Sequence, residues 1–275
     1  MTALDDWRGG LAAMVIPEEI VAAAPESPWG YPTELFRRRV EATRRDPSAL
    51  VERALEALPM GGTVLDVGVG GGATSLPLAP RASRITGVDQ SEGMLSSFRA
   101  SALEAGVEAV AIHGAWPDVA SEVEPADIVV SGHVLYNVAE LEPFVRALTD
   151  HARGRVAVEL TGGHPLAWMT DLWRRFHGLD RSPGPTADDA EAAIRELGFD
   201  VAREDREIEP RSGGFERRED ALALVRRRLC LSADRDPEVA EALGDRLAKR
   251  GGSWSAGPSS QAIVTLWWPG TPDDR

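Results

Sequence analysis

Val64-Leu-Asp-Val-Gly-Val-Gly-Gly-Gly-Ala-Thr74 is the most informative segment of the chain. Its apolar start predicts a buried β-strand, and residues 73–79 predict a helix that Pro77 interrupts. Gly68, Gly70 and Gly72 lie between the two. Glycine permits positive φ and lets a ligand approach the backbone closely, and the start of a helix offers unpaired amide hydrogens. The segment therefore predicts a binding site for a nucleotide-type ligand.

Short apolar runs alternate with helical patterns along most of the chain. Strands that are buried on both faces read as continuous apolar runs, and this alternation is typical of a parallel sheet with helices on both sides. The predicted fold class is therefore α/β. The predicted strands are 63–67, 84–88, 108–112, 127–130, 155–159, 199–208 and 261–268, and the helices from the second strand onward are 91–105, 140–153, 165–178, 187–197, 219–231 and 237–249.

Two acidic residues bear on the identity of the cofactor. Gly68-x-Gly70-x-x-Ala73 also fits the dinucleotide fingerprint. Asp66 closes the first strand, where its carboxylate would repel a pyrophosphate and attract an ammonium or sulfonium group. Asp89 closes the second strand, where a carboxylate can accept hydrogen bonds from both ribose hydroxyls. Nicotinamide and adenosyl ligands share this second feature, so it supports the site without choosing the cofactor.

Asp66-x-Gly68-x-Gly70-x-Gly72, followed by Val88-Asp89-Gln-Ser-Glu-Gly-Met94, resembles the first two motifs of class I S-adenosylmethionine-dependent methyltransferases. The order of segments agrees over residues 48–210, with the final strand at 261–268. The resemblance implies a doubly wound, Rossmann-like sheet of seven strands. Its last strand would run antiparallel between strands five and six. The resemblance also implies S-adenosyl-L-methionine as the cofactor.

The resemblance assigns roles to individual residues. Asp66 would lie near the methionine amino group, the glycines would wrap the cofactor, and Asp89 would hold the ribose hydroxyls. Many members of the family have an acid in a third motif where this chain has Ala115. Trp116 or a backbone carbonyl would then serve at the adenine. The implied cofactor-binding set is Asp66, Gly68, Gly70, Gly72, Asp89, Gln90, Met94, Ala115, Trp116 and Ser131.

A histidine follows the fourth strand, where the resemblance places the methyl donor against the acceptor. His133 is the first candidate for a general base, and Tyr136 is the second. Each could instead pack or contact the cofactor. His164 follows strand five, where substrate loops gather, and is a candidate for the acceptor side. The spacing of His and carboxylate residues does not indicate a metal site.

Two helical regions lie outside the predicted sheet. Residues 1–60 predict an N-terminal helical cap with helices at 33–44 and 48–58. Residues 61–275 predict the methyltransferase domain, in which a helical insertion at about 212–256 precedes the last strand. We expect the cap and the insertion to build the acceptor pocket. The cap also contains aromatic residues that could contact the ligands or simply pack, namely Trp7, Trp29, Tyr31 and Phe36, whereas Trp168 and Trp173 are expected to pack on the sheet.

Composition narrows the class of partner. The 275 residues include 44 acidic residues and 30 Lys or Arg, for a formal net charge of −14. That balance disfavours a nucleic-acid partner, because such binding rests on clustered positive charge. Cys230 is the only cysteine, which excludes an internal disulfide framework. Neither a targeting segment nor a membrane-length apolar run is evident, so a cytoplasmic location without a membrane partner is predicted. The sequence does not indicate an oligomeric state.

The predicted function is methyl transfer from S-adenosylmethionine to a small-molecule O, N or C nucleophile. Two alternatives remain open. A nicotinamide-dependent oxidoreductase would use the same type of loop, although Asp66 argues against it. A non-catalytic binding module would keep the fold and the cofactor site without turnover.

Overall fold

The computed structural model describes residues 2–29, 47–209 and 214–271 of the chain. Its strands are β1 (Gly62–Val67), β2 (Ala82–Asp89), β3 (Glu108–His113), β4 (Ala126–Gly132), β5 (Ala152–Thr161), β6 (Ala202–Ile208), β7 (Leu247–Arg250), β8 (Ser253–Ala256) and β9 (Gln261–Pro269). Its α-helices are α1 (Ala3–Ala12), α2 (Glu18–Ala23), α3 (Ala49–Ala57), α4 (Glu92–Ala105), α5 (Leu141–Asp150), α6 (Thr170–His177), α7 (Ala187–Glu196), α8 (Arg218–Arg228) and α9 (Asp236–Leu243).

Seven of these strands form one mixed sheet in the order β3-β2-β1-β4-β5-β9-β6. The strands from β3 to β5 in that order pair in parallel. The last strand, β9, pairs antiparallel with both β5 and β6. The predicted α/β class and the predicted position of the last strand are therefore confirmed. Strand order reverses between β1 and β4, which is the switch point where ligands bind in sheets of this kind.

The segment after the glycines does not form the interrupted α-helix predicted for residues 73–79. A short 3₁₀ turn, Leu76–Leu78, takes its place. Pro77 and Pro80 explain the difference, because proline lacks an amide hydrogen and clashes with the preceding turn. The argument that a helix start supplies amide hydrogens here is therefore wrong, and the loop must bind its ligand in another way.

Successive strand residues face two different hydrophobic cores. Val64 and Leu65 are neighbours in β1, yet they belong to separate cores because strand side chains alternate between the two faces. One face is covered by α3 and α4. The other face is covered by α1, α5 and α7. Although α3 falls inside the predicted cap of residues 1–60, it packs on the sheet, and the boundary at residue 60 stays a prediction.

The aromatic residues of the N-terminal region have different environments. Trp7 belongs to α1 and is fully buried in the core that this helix covers, and its indole N–H donates to the Val138 carbonyl at 2.8 Å. Trp29 is exposed. Tyr31, Phe36 and the predicted helix 33–44 lie outside the described residues.

A third core is built without any described residue of the seven-stranded sheet. It joins α2, α6 and the segment from α8 to β8, and its buried members include Ile16, Trp173 and Leu222. Trp168 packs against the same core. The expectation that Trp168 and Trp173 pack on the sheet is therefore wrong, because the insertion covers α6 and takes up its apolar side chains. We call this third core the roof core.

The insertion ends in a hairpin that the sequence pattern did not predict. The helix expected over residues 237–249 ends at Leu243, and β7 and β8 pair antiparallel. Gly251 and Gly252 connect them with φ of +53° and +87°. Two successive positive φ values are what a tight two-residue hairpin turn requires, and a Gly-Gly pair supplies them without strain. In the part of the chain that the structure describes, no helix has the length and apolarity to cross a bilayer.

Candidate active site

The candidate site lies where the parallel strands end at their carboxyl edge. Asp66 near the end of β1 pairs with Val130 of β4, and Val67 pairs with Val88 of β2. This register brings the glycine loop, Asp89 and the residues after β4 to one edge of the sheet.

Asp66 is fully buried, and neither of its carboxylate oxygens has a hydrogen-bond partner within the described residues. Burial raises the pKa of Asp66 to about 7, and the charge of Asp89 adds to this rise, while polar groups of Ser75 oppose it. A buried carboxylate without a partner is costly. An ammonium group bound nearby would offset that cost, so Asp66 fits the methionine end of S-adenosylmethionine.

The glycines of the loop serve two different purposes. Gly68, Gly70 and Gly72 all have positive φ. A Cβ on Gly72 would lie 2.7 Å from Leu76 Cδ1, so this glycine allows close packing inside the protein. A Cβ on Gly70 would meet nothing within 4 Å. Gly70 therefore borders open space, where a ligand can approach the backbone.

Asp89 closes β2 and braces the glycine loop. Its Oδ2 accepts the Gly70 amide at 2.9 Å, and its Oδ1 accepts the Ser91 amide at 2.8 Å. Each carboxylate oxygen can accept a second hydrogen bond, so both oxygens keep capacity for the ribose hydroxyls. Gln90 beside it is exposed, and Met94 is half-buried in the first turn of α4. The roles of Gln90 and Met94 at the adenosine stay predictions.

The third-motif residues and Ser131 are engaged with the protein itself. Trp116 is buried, and its indole N–H donates to the Phe144 carbonyl at 3.3 Å. Ala115 beside it is half-buried. Ser131 is buried and donates to the Val67 carbonyl at 2.8 Å, which ties β4 to β1. The hydrogen bonds of Trp116 and Ser131 fix the backbone around the site, and contact of these three residues with a cofactor stays a prediction.

His133 is held against Glu159 at the end of β4. The backbone of His133 has φ of +61°, a conformation that is uncommon outside glycine and often occurs at functional sites. Its Nε2 lies 3.4 Å from Glu159 Oε1, and its amide donates to the Glu159 carbonyl at 2.7 Å. Burial would raise the pKa of Glu159, but the hydrogen bond and charge of His133, together with hydrogen bonds from the Ser48 side chain and the Leu50 backbone, outweigh it and hold that pKa below its usual range.

The contact with Glu159 fixes the tautomer of a neutral His133. An ionised carboxylate only accepts hydrogen bonds, so Nε2 carries the proton, and Nδ1 is left with a free lone pair. Half of the His133 side chain is accessible to solvent. Nδ1 can therefore take a proton from a bound nucleophile, while Glu159 stabilises the cation that forms.

Tyr136 is buried next to His133 with its hydroxyl turned toward β5. The hydroxyl accepts the Thr161 amide and lies 2.8 Å from Thr161 Oγ1, which itself donates to the Gly163 carbonyl at 2.5 Å. The proton between the two hydroxyls must therefore come from Tyr136. Burial raises the pKa of Tyr136 to about 12. These contacts suit a neutral, fixed phenol better than a base. Its oxygen lies 3.5 Å from His133 Nδ1 and can accept the hydrogen bond that Nδ1 donates once His133 is protonated.

His164 also lies beside this group, with its ring edge-on to Tyr136 at a centroid distance of 5.5 Å. Its Nδ1 accepts the Leu166 amide at 3.1 Å. Burial, and then the charge of Arg181, lower the pKa of His164 to about 4. His164 is therefore a neutral wall of the acceptor side at ordinary pH.

Sequence reasoning missed Glu159 and Thr161. Both lie in β5, where Glu159 reads as the polar end of an apolar strand. A carboxylate in a strand predicted to be buried on both faces was the available signal, because such a group needs a partner. In the described ranges, no group of three potential metal ligands occurs.

Comparisons with known proteins agree with this geometry. Residues 64–154 match a family model described as "Methyltransferase domain". Ubiquinone biosynthesis O-methyltransferase of Idiomarina loihiensis is 28% identical over 183 residues, which cover 62% of this chain and 72% of that protein. The Methylobacterium protein of the same name is 37% identical over 89 residues, which cover 32% and 36%. The crystal structure of YcgJ from Bacillus subtilis has the same fold, with a TM-score of 0.52 and 17% identity over 81% of this chain and 97% of that one.

The family match and the sheet order together define the class. Residues 64–154 match a methyltransferase domain on a sheet of this order, and S-adenosylmethionine is the cofactor that the glycine loop and the two carboxylates fit. The Methylobacterium relative is matched over only 36% of its own length, so its named reaction belongs to that protein.

Proposed function

We propose that this protein transfers a methyl group from S-adenosylmethionine to a hydroxyl oxygen of a small molecule. The observation that carries the proposal is the placement of His133, held by the buried Glu159, one strand away from the unpaired carboxylate of Asp66. The first element suits removal of a proton from an acceptor, and the second suits the charged end of the cofactor.

The chemistry divides between cofactor and protein. S-adenosylmethionine supplies a methyl group that is activated by a positively charged sulfur. The protein orients the acceptor oxygen in line with that methyl group, and such alignment can lower the barrier by about 7–11 kcal/mol. Nδ1 of His133 accepts the hydroxyl proton, and Glu159 stabilises the resulting imidazolium.

A proton-bearing acceptor explains why a base is present at all. A neutral amine attacks through its lone pair with no proton removed beforehand, whereas a hydroxyl gives up its proton to the base. The curated relatives are named O-methyltransferases, which agrees with this choice of acceptor atom. We also propose a cytoplasmic location, which suits the free thiol of Cys230.

Calorimetric titration with S-adenosylhomocysteine, S-adenosylmethionine and NAD tests the cofactor assignment, with Asp89→Ala beside the wild type. We expect the two sulfur ligands to bind and Asp89→Ala to weaken both, because the loop loses its brace and the ribose its acceptor. Binding of NAD alone would assign the chain to the nicotinamide-dependent oxidoreductases. Binding of the sulfur ligands without methyl transfer to any hydroxylated acceptor would indicate a non-catalytic module.

A further inference from the structure

Within the described residues, Arg181 is a partly buried cation without an acidic side chain as its partner, and Cys230 is the one titratable group whose charge acts on it. Its Nε is inaccessible to solvent and has no hydrogen bond within the described residues. Its guanidinium carbon lies 4.4 Å from the ring centroid of Trp173, so the planar cation stacks on an indole of the roof core. Burial lowers the pKa of Arg181. A guanidinium that is withdrawn from solvent normally pairs with an anion, so Arg181 can bind an anionic ligand.

The acidic residues near Arg181 in sequence are already engaged. Asp180 pairs with Arg174 on α6. Asp189 accepts both the amide and the hydroxyl of Thr186, which closes the N-terminal cap of α7. The protein therefore leaves the charge of Arg181 for a ligand.

The position of Arg181 connects it to the candidate site. The turn that follows it is folded tightly onto His164, since a Cβ on Gly184 would lie 2.9 Å from the His164 Cβ. His164 in turn packs edge-on against Tyr136, next to His133. Arg181, the turn after it, His164 and Tyr136 thus follow one another as a wall from the roof core to the proposed base.

The balance of charge selects the type of anion. The His164 side chain is uncharged at neutral pH, because its pKa of about 4 is far below 7. Arg181 then offers a single positive charge in a flat, forked shape, which matches the single charge and geometry of a carboxylate. A phosphate dianion would need further cations that this wall does not provide.

Building on the proposed methyl transfer, we propose that the acceptor is a small carboxylic acid whose carboxylate binds Arg181 while its hydroxyl faces His133. Arg181 is then a specificity-determining residue of the acceptor pocket. It binds the end of the acceptor that does not react, and the stacking on Trp173 keeps the guanidinium plane fixed for a bidentate contact.

Matched pairs of acids and amides test this proposal. The probes are 3,4-dihydroxybenzoate against 3,4-dihydroxybenzamide, and glycolate against glycolamide, titrated by calorimetry into the protein saturated with S-adenosylhomocysteine. We expect at least one acid to bind about 10- to 100-fold more tightly than its amide, as for a charge-assisted hydrogen bond. Arg181→Met should abolish the preference, and Arg181→Lys should restore part of it.

Arg174→Met is the control, because Arg174 is an exposed arginine of α6 that pairs with Asp180, the residue before Arg181. It should keep the preference of the wild type. The proposal is overturned if the protein binds S-adenosylhomocysteine but no acid binds more tightly than its amide, or if both Arg181 variants keep the wild-type preference. Failure to bind S-adenosylhomocysteine would instead contradict the proposed function. A folded Arg181→Lys protein keeps the test valid if Arg181→Met does not fold.

Discussion

The imidazole Nε2 of His133 lies 3.4 Å from Oε1 of Glu159, and the backbone of the same two residues is joined by a 2.7 Å hydrogen bond. The side-chain contact fixes the tautomer of His133, and the backbone contact fixes the position of the main chain from which its side chain extends. The unusual φ of His133 belongs to this arrangement. A histidine that only filled space would need neither the buried carboxylate nor the uncommon backbone conformation.

His133→Gln and Glu159→Gln should each lower kcat. Loss of the base should cost about 10²- to 10⁴-fold, and loss of its orienting carboxylate should cost less. Neither residue braces the glycine loop, so the Kd of S-adenosylhomocysteine should be nearly unchanged. Single-turnover methyl transfer and calorimetry measure the two quantities.

Glu204→Gln is the matched control for Glu159→Gln. Glu204 is also a glutamate of the sheet and shares a row with Glu159 across Thr265 of β9, but it lies two strands away on β6 and pairs with Arg206 and Arg53. Its substitution should leave kcat unchanged. Wild-type kcat in Glu159→Gln would contradict the orienting role of Glu159.

Asp66→Asn should separate stability from cofactor binding. In the folded chain, burial raises the pKa of Asp66 from 3.8 to about 7, so the folded state keeps a proton that the unfolded chain has already lost. The free energy of unfolding of the cofactor-free protein should therefore fall as the pH rises from about 4 to about 7, by at most about 4 kcal/mol from this group.

The asparagine variant lacks this loss. At about pH 8 it should unfold at a higher urea concentration than the wild type, yet bind S-adenosylhomocysteine more weakly, because the ammonium group loses its carboxylate. A variant that is less stable at that pH and binds normally would refute the role given to Asp66.

Gly70→Ala should weaken cofactor binding with only a small loss of stability. A Cβ at this position meets no protein atom within 4 Å, but it would project into the space that the ligand needs. Gly61→Ala is the matched control, since Gly61 also has positive φ and open surroundings but precedes β1 at the opposite edge. Both variants should lose about 1–2 kcal/mol of stability from backbone strain, and only Gly70→Ala should lose affinity. Equal affinities in the two variants would contradict this assignment.

His164 should make the protein less stable in mild acid. Burial, and then Arg181, lower its pKa from 6.5 to about 4, so the unfolded chain takes up a proton that the folded chain does not. Its contribution should be lost as the pH falls from about 6.5 to about 4, by at most about 3 kcal/mol and by less after solvent screening.

The free energy of unfolding in urea is measured against pH for the wild type and for His164→Gln. The difference between the two curves isolates the effect of His164, because both proteins contain Asp66, whose effect on stability has the opposite pH dependence. The NMR titration of His164 in Arg181→Met should show a higher pKa than in the wild type. An ordinary pKa for His164 in the wild-type protein would contradict its burial and the effect of the charge of Arg181.

Trp7 should be a major source of stability for the N-terminal segment. It is fully buried, and its indole N–H is bonded to the Val138 carbonyl. Trp7→Ala should cost about 3–5 kcal/mol, because it leaves a large cavity and an unpaired carbonyl. Trp29→Ala is the control, since Trp29 is exposed and should change stability by about 0.5 kcal/mol or less. Thermal unfolding compares the two variants.

The sheet was predictable because each strand carries its own signal. The apolar runs and the Asp66 and Asp89 positions indicated the parallel core, and the resemblance placed β9 between β5 and β6 as observed. The helix predicted after the glycines was wrong because periodicity outweighed the two prolines at 77 and 80. The β7–β8 hairpin was missed because its four-residue strands are too short to show an alternating pattern.

The site was less predictable, since its contacts join distant parts of the chain. Glu159 meets His133 through the pairing of β4 with β5, and sequence spacing alone does not reveal that pairing. Arg181 lies in a turn whose Pro and Gly residues indicated only a loop. Its isolation from acids becomes visible only once Asp180 and Asp189 have been placed with their own partners.

The separation of the roof core from the two sheet cores affects which parts of the protein can change during evolution. Among the described residues, the buried hydrophobic side chains that α6, α8 and the hairpin contribute to the roof core belong to neither of the two sheet cores. A lineage could therefore remodel its acceptor specificity by drift in this module while the cofactor platform stays under purifying selection. Duplicated copies of such a gene would be expected to diverge first in the roof, and in Arg181 before Asp89.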